Sequence, residues 1–160
     1  MTDKLRLGFP VKVMGAPGLK SNDTRRWQKD PHLKTSLEYL DAIFTYLQKK
    51  RIDMYRMSSD LAPYATHPDM PQFHAMVAES GAELRAAGAR ARELGIRLSF
   101  HPSQYVLLNS PDPALTQKSI WDLASQAEML EPHGTGTGGG DGDACGRRLW
   151  RHGGEPGALG

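Results

Sequence analysis

Three short apolar runs alternate with three amphipathic helical patterns, and this order restricts the fold of the chain more than any other property. The strand-like runs fall at residues 5–9, 53–57 and 97–100. A helix is predicted over about 33–50, because Leu37, Leu40, Phe44 and Leu47 recur at three- and four-residue spacing while Glu38, Asp41 and Lys49 face elsewhere. Its basic end, Lys49-Lys50-Arg51, complements the helix dipole. A second helix, over about 72–94, carries Leu84, Ala87, Ala91 and Leu94 on one stripe and is ended by Gly95. A third, over 114–130, starts at Ser110-Pro111-Asp112-Pro113 and shows Ile120, Leu123, Ala127 and Leu130 on one face. The β-α-β-α-β-α order implies parallel strands joined by right-handed crossovers, an α/β fold. Three such units cannot close a barrel, since a TIM (β/α)8 barrel takes about 250 residues. The expected architecture is an incomplete TIM (β/α)8-type barrel made of its first three βα units.

Composition divides the chain. Residues 1–130 hold nearly all the large apolar side chains. Residues 131–160 are rich in Gly with Thr, Asp and Arg and have neither a helical nor a strand period. The first stretch is read as one domain and the second as a disordered or frameshifted Gly-rich tail. The single cysteine, Cys145, lies in that tail, excludes an intrachain disulfide framework and fits a reducing compartment. The N-terminus lacks a signal-peptide core and no stretch reaches membrane-spanning length, so the expected location is the cytoplasm, with no membrane partner.

A net charge of +2 is too small to diagnose a nucleic-acid binder, because phosphate affinity depends on clustered cations. Such a cluster exists. Lys20, Arg25, Arg26, Lys29 and Lys34 crowd the loop before the first helix around Trp27, a mixture suited to phosphates and an unstacked base. A solvated loop face would have the same composition.

The chemistry-bearing signal is a pair of histidines after successive strands. His101 directly follows the strand-like Ile96-Arg97-Leu98-Ser99-Phe100, and His67 lies in the loop after Met54-Tyr55-Arg56-Met57. Neutral imidazoles are common transition-metal ligands, and strand-end placement lets them converge on one ion. His32 and His74 lack such context and read as surface residues. Arg56 and Ser58-Ser59-Asp60, at a strand end, suit either phosphate contact or a buried ion-pair network.

The same residues carry a family resemblance. Leu5-Arg6-Leu7-Gly8-Phe9-Pro10, the stretch from Tyr55 to Pro68, and His101-Pro102-Ser103-Gln104-Tyr105 with Ser110-Pro111-Asp112-Pro113 resemble the UV-damage endonuclease family in order and spacing, over about residues 5 to 130. The resemblance implies a barrel nuclease with a divalent metal, generally Mn2+, to which His67 and His101 contribute as catalytic metal ligands. It implies that Gln104 and Tyr105 wedge into DNA at a lesion, and that Phe9, where the family often has Tyr, and Asn22 line the lesion pocket. The partner is double-stranded DNA containing UV photoproducts; no protein partner is implied. The reaction is phosphodiester hydrolysis 5′ to the lesion in excision repair. The family draws further ligands from the fourth strand onward, so the chain as written is expected to be inactive. A one-nucleotide shift from His133 onward, with permitted codons, yields an apolar strand ending in His-Val-Gly-Gly, similar to that fourth strand. Two alternatives remain open: a sugar isomerase-like TIM barrel, which gives no role to Gln104-Tyr105, and a non-catalytic DNA-binding fragment.

Overall fold

The computed structural model describes residues 5–131. The expected tail, its frame shift and Cys145 lie outside the described residues, Glu131 excepted. Three strands, β1 (Gly8–Pro10), β2 (Met54–Ser58) and β3 (Arg97–His101), form one parallel sheet in the order β1-β2-β3. The helices are α1 (Leu33–Lys50), α2 (Met76–Glu79), α3 (Gly81–Glu93) and α4 (Pro113–Leu130). The α/β reading and its alternation therefore hold.

Helix α1 forms where the periodicity places it. His32 caps it, its Nδ1 accepting the Lys34 N–H at 3.2 Å, and Arg51 closes it in the left-handed region at φ 57°. Its inner face, Leu33, Leu40, Ile43, Phe44 and Leu47, is fully buried, each side chain contributing about 2 kcal/mol of transfer free energy. This face packs against α3. Gly95, at φ 67°, follows α3 as the terminating glycine, and the Ile96 N–H returns to the Ala91 carbonyl at 2.8 Å.

Side chains alternate across each strand. Tyr55, Met57, Leu98 and Phe100 enter the buried core, whereas Arg56 and Ser99 are half-buried and Arg97 and His101 exposed. The register pairs Gly8 with Met54, Arg56 with Ser99 and Ser58 with His101. Gly8 is demanded by that pairing: a Cβ there would lie 2.6 Å from both the Cβ and the carbonyl oxygen of Met54. The Tyr55 hydroxyl donates to the Val11 carbonyl at 2.7 Å, and burial pushes the phenol above its ordinary range.

Three expectations need correction. The first strand, expected over residues 5–9, spans Gly8–Pro10, and Leu5 and Leu7 are exposed. Residues 6 and 7 are held by polar bonds instead: Arg6 donates to the Asp53 and Gly95 carbonyls, and the Leu7 N–H to the Asp53 carboxylate. The second helix is broken. A 3-10 turn (Pro71–Phe73) precedes α2, and Ser80, whose N–H is shared between the Met76 and Val77 carbonyls, separates α2 from α3 ahead of the helix-poor Gly81. On α4 the buried positions are Ser119, Gln126 and Met129, while Ile120 and Leu123 are half-buried and Ala127 exposed. The inward turn of Ser119 accompanies a bond to the preceding loop: its hydroxyl accepts the Leu107 N–H and donates to the Leu115 carbonyl of its own helix, both at 2.8 Å. Among the described residues no helix is long and apolar enough to cross a membrane.

Candidate functional site

The loops that leave the three strands meet at the carboxyl edge of the sheet and, with α4, enclose a cleft of about 510 Å³. Asn22, Asp23 and Arg25 come from the loop after β1, Ser59, Asp60 and residues 62–67 from the loop after β2, and Ser103, Tyr105 and Val106 from the loop after β3. Open parallel sheets bind ligands at this edge.

The loop after β2 turns tightly because Ser58 bonds it twice, its hydroxyl accepting the Asp60 N–H at 3.2 Å and its carbonyl the Leu61 N–H at 3.1 Å. Tyr64 then sits in the left-handed region at φ 58°, an unfavourable conformation for an aromatic residue, with its ring against Phe73 at 5.4 Å. His67 follows, with its Nδ1 accepting the Asp69 N–H at 3.3 Å. His74 Nε2 donates to the His67 carbonyl at 2.8 Å, and the His74 ring meets Trp121 of α4 edge-on at 4.8 Å. His74 is therefore a half-buried brace rather than a surface residue. His32, the cap of α1, is also half-buried.

The electrostatic anchor of the loop after β1 is Asp23, which is 2% exposed. Its burial opposes ionisation, yet hydrogen bonds from the Arg25 side chain and from the His32 and Arg25 backbone N–H groups, with the Arg25 charge, hold its carboxyl below the usual carboxylate range. Arg25 grips it through Nε at 2.9 Å and Nη2 at 2.5 Å, and Asp23 N–H bonds the Ser36 hydroxyl of α1 at 2.9 Å. On the opposite wall, Asp122 Oδ1 accepts from the Thr66 hydroxyl and from Lys118 Nζ, each at 2.5 Å. This trio fastens the loop after β2 to α4.

The residues singled out from the sequence divide into two groups. Asn22, His67 and Tyr105 line the cleft. Asn22 is buried and donates to the Asp60 carbonyl at 3.3 Å, while Tyr105 is 73% exposed at the mouth. His101, Gln104 and Phe9 lie outside it. Phe9 packs edge-on against Tyr55 at 5.6 Å, within the core layer. His101 stands exposed at the end of β3, and Gln104 is exposed in the following loop. Among the described residues no group of three or more His, Cys, Asp or Glu side chains is placed to hold a metal ion, so these residues alone do not fit a metal cluster.

The basic loop is partly self-neutralised. Arg25 pairs with Asp23, Lys34 with Glu83 at 2.7 Å, and Lys20 lies over the Tyr39 ring at 5.1 Å, leaving Arg26, Lys29 and the 48%-exposed Trp27 on the surface. Asp23, Tyr64 and the Thr66–Lys118–Asp122 trio were missed in the sequence. Only the i,i+4 spacing of Lys118 and Asp122 gave any signal for them.

These features define a parallel α/β protein with its cleft at the carboxyl edge of the sheet, the placement common to enzymes of that class. A family profile described as UV-endonuclease UvdE matches residues 21–136, and the chain belongs to that family. A UV DNA damage endonuclease of Bacillus cereus (strain B4264) is 32% identical over 127 residues, spanning 78% of this chain and 39% of that protein. One from Bacillus pumilus (strain SAFR-032) is 36% identical over 80 residues, 50% of this chain and 24% of its own. The crystal structure of SacUVDE aligns with a TM-score of 0.69 at 29% identity, over 82% of this chain and 46% of that one. The chain thus spans less than half the length of each of these relatives.

Proposed function

We propose that this chain carries the DNA-facing amino-terminal part of a UV-damage endonuclease, the first three βα units of a TIM-type barrel, and that by itself it does not cut DNA. The carrying observation is the cleft that brings Asn22, His67 and Tyr105 together at the carboxyl edge of the sheet. The substrate is double-stranded DNA containing a UV photoproduct, and the family reaction is hydrolysis of the phosphodiester 5′ to it. Tyr105, exposed at the mouth and followed by the exposed Leu107 and Leu108, is suited to enter a duplex at a site where stacking is already weakened. Gln104 accompanies it. Asn22, with its amide fixed by Asp60, offers a polar wall to an extruded base.

In the family reading a divalent metal would supply hydroxide and offset charge on the leaving oxygen. His67 and His101 are the two imidazoles this chain would offer. Two neutral donors without carboxylates make a weak site, which supports inactivity of the chain alone. Purified chain, incubated with UV-irradiated supercoiled plasmid and Mn2+, is expected to produce no nicked circles above an EDTA control. Metal-dependent nicking confined to irradiated plasmid would overturn the inactive reading. Proton exchange into an aldose would instead favour the isomerase alternative.

A further inference from the structure

Arg56 differs from the ion-paired cations among the described residues. Arg25, Lys34, Arg90 and Lys118 each meet a carboxylate, whereas the hydrogen bond of the Arg56 guanidinium is one to the Phe100 carbonyl at 3.5 Å, the long limit of such a contact. The buried ion-pair network open to it in the sequence does not form among the described residues. A half-buried cation without a counter-charge is costly to keep unless a ligand supplies one.

Its neighbours point the same way. Arg56 on β2 is paired in register with Ser99 on β3, and Ser58 with His101, so alternation places all four on the sheet face turned from the helices. The Ser99 hydroxyl is buried there with no hydrogen-bond partner, a donor and acceptor awaiting one. Phe100, whose carbonyl receives Nη2, lies between Ser99 and His101, so the guanidinium reaches across β3 toward the strand end where ligands bind. No carboxylate belongs to this set of side chains, which leaves it positively charged.

We propose that Arg56, with the Ser99 hydroxyl, forms a phosphate-binding subsite on the open face of the sheet that holds a backbone phosphate of the DNA beside His101. The guanidinium fork matches two phosphate oxygens, and the hydroxyl donates to a third acceptor position. Arg56 is a positioning residue here. The assignment of the phosphate to DNA rests on the function proposed above; the anion site itself does not.

The full chain, labelled with 15N, is titrated with inorganic phosphate against chloride at matched ionic strength, following the Arg56 Nε–H and the Ser99 amide. Phosphate is expected to shift both saturably. Arg56→Gln should weaken the effect on the Ser99 amide by about tenfold, and Ser99→Ala on Arg56 Nε–H by a few-fold, in line with loss of a charged and a neutral hydrogen bond. If Arg56→Gln disturbs the fold, Arg56→Lys decides, because it keeps the charge and loses the fork. Equal shifts from chloride, or parental phosphate affinity in the Gln or Lys variant, would overturn the subsite. A second arm measures duplex binding against salt, where Arg56→Gln should lower the slope of log affinity by about one, equally for intact and irradiated DNA. A phosphate response without that change removes DNA as the source of the phosphate. Equal affinity of the parent chain for intact and irradiated duplex counts against the endonuclease reading and leaves the subsite standing.

Discussion

The two faces of the sheet are built from the same strands and have opposite character. Toward the helices, Tyr55, Met57, Leu98 and Phe100 are at most 7% exposed and join one continuous core with α1, α3 and Met129 of α4. On the other side stand Arg56, Ser58, Ser99 and His101 in register, polar throughout and partly open. Strands of a parallel sheet covered on both sides read as unbroken apolar runs, whereas β3 alternates Arg, Leu, Ser, Phe, His. Apolar packing resides on one face, and polar and charged groups on the other.

Substitution can break that contrast. Phe100→Ala is expected to lower unfolding free energy by about 3–5 kcal/mol in urea titrations, and Ser99→Ala, one residue away, by less than about 0.5 kcal/mol. Comparable losses at the two positions would mean that the polar face is also a packing surface. Gly8→Ala tests the edge both faces share. With the Met54 carbonyl and Cβ inside clash distance of the added methyl, the strands must part, at a cost of about 1–3 kcal/mol and with loss of hydrogen-exchange protection at Val11, whose N–H bonds the Arg56 carbonyl. Asp23→Asn gives a loss of about 1–2 kcal/mol from weakened hydrogen bonds. Its sign with pH is fixed. A carboxyl held below its ordinary value stabilises the fold fully above that value, and the contribution fades as pH falls through the lower folded-state value. The parent chain should therefore lose stability on acidification below about pH 4, and the Asn variant should lose less over the same interval.

Helical order was legible because α1 presents a long stretch of 3.6-residue repetition with a basic end, although its cap, His32, was not. The break at Ser80 was not, because Leu84, Ala87 and Ala91 keep their spacing on either model of the helix start. On α4 the apolar stripe misled. Ser119, Trp121 and Asp122 bind α4 to the preceding loops, and such contacts leave no periodic trace. Within the site, strand-end logic located His67 and His101, and the family resemblance singled out Asn22 and Tyr105. Which of them share the cleft depended on loop geometry, including the left-handed Tyr64, that no residue pattern announces. Asp23 was illegible for a related reason, since its partners are the Arg25 side chain and backbone N–H groups brought to it by the turn of the loop.

The clasp on His67 carries a consequence for folding order. The carbonyl of His67 is held by His74, His74 leans on Trp121, and Thr66 is bonded to Asp122, so the second unit's loop is fixed by side chains more than fifty positions later in the chain. During synthesis that loop stays unset until α4 has emerged and docked, because contacts of such sequence separation form late. The imidazole is thus among the last groups to find its place, and any lesion that delays α4 reaches it without touching it.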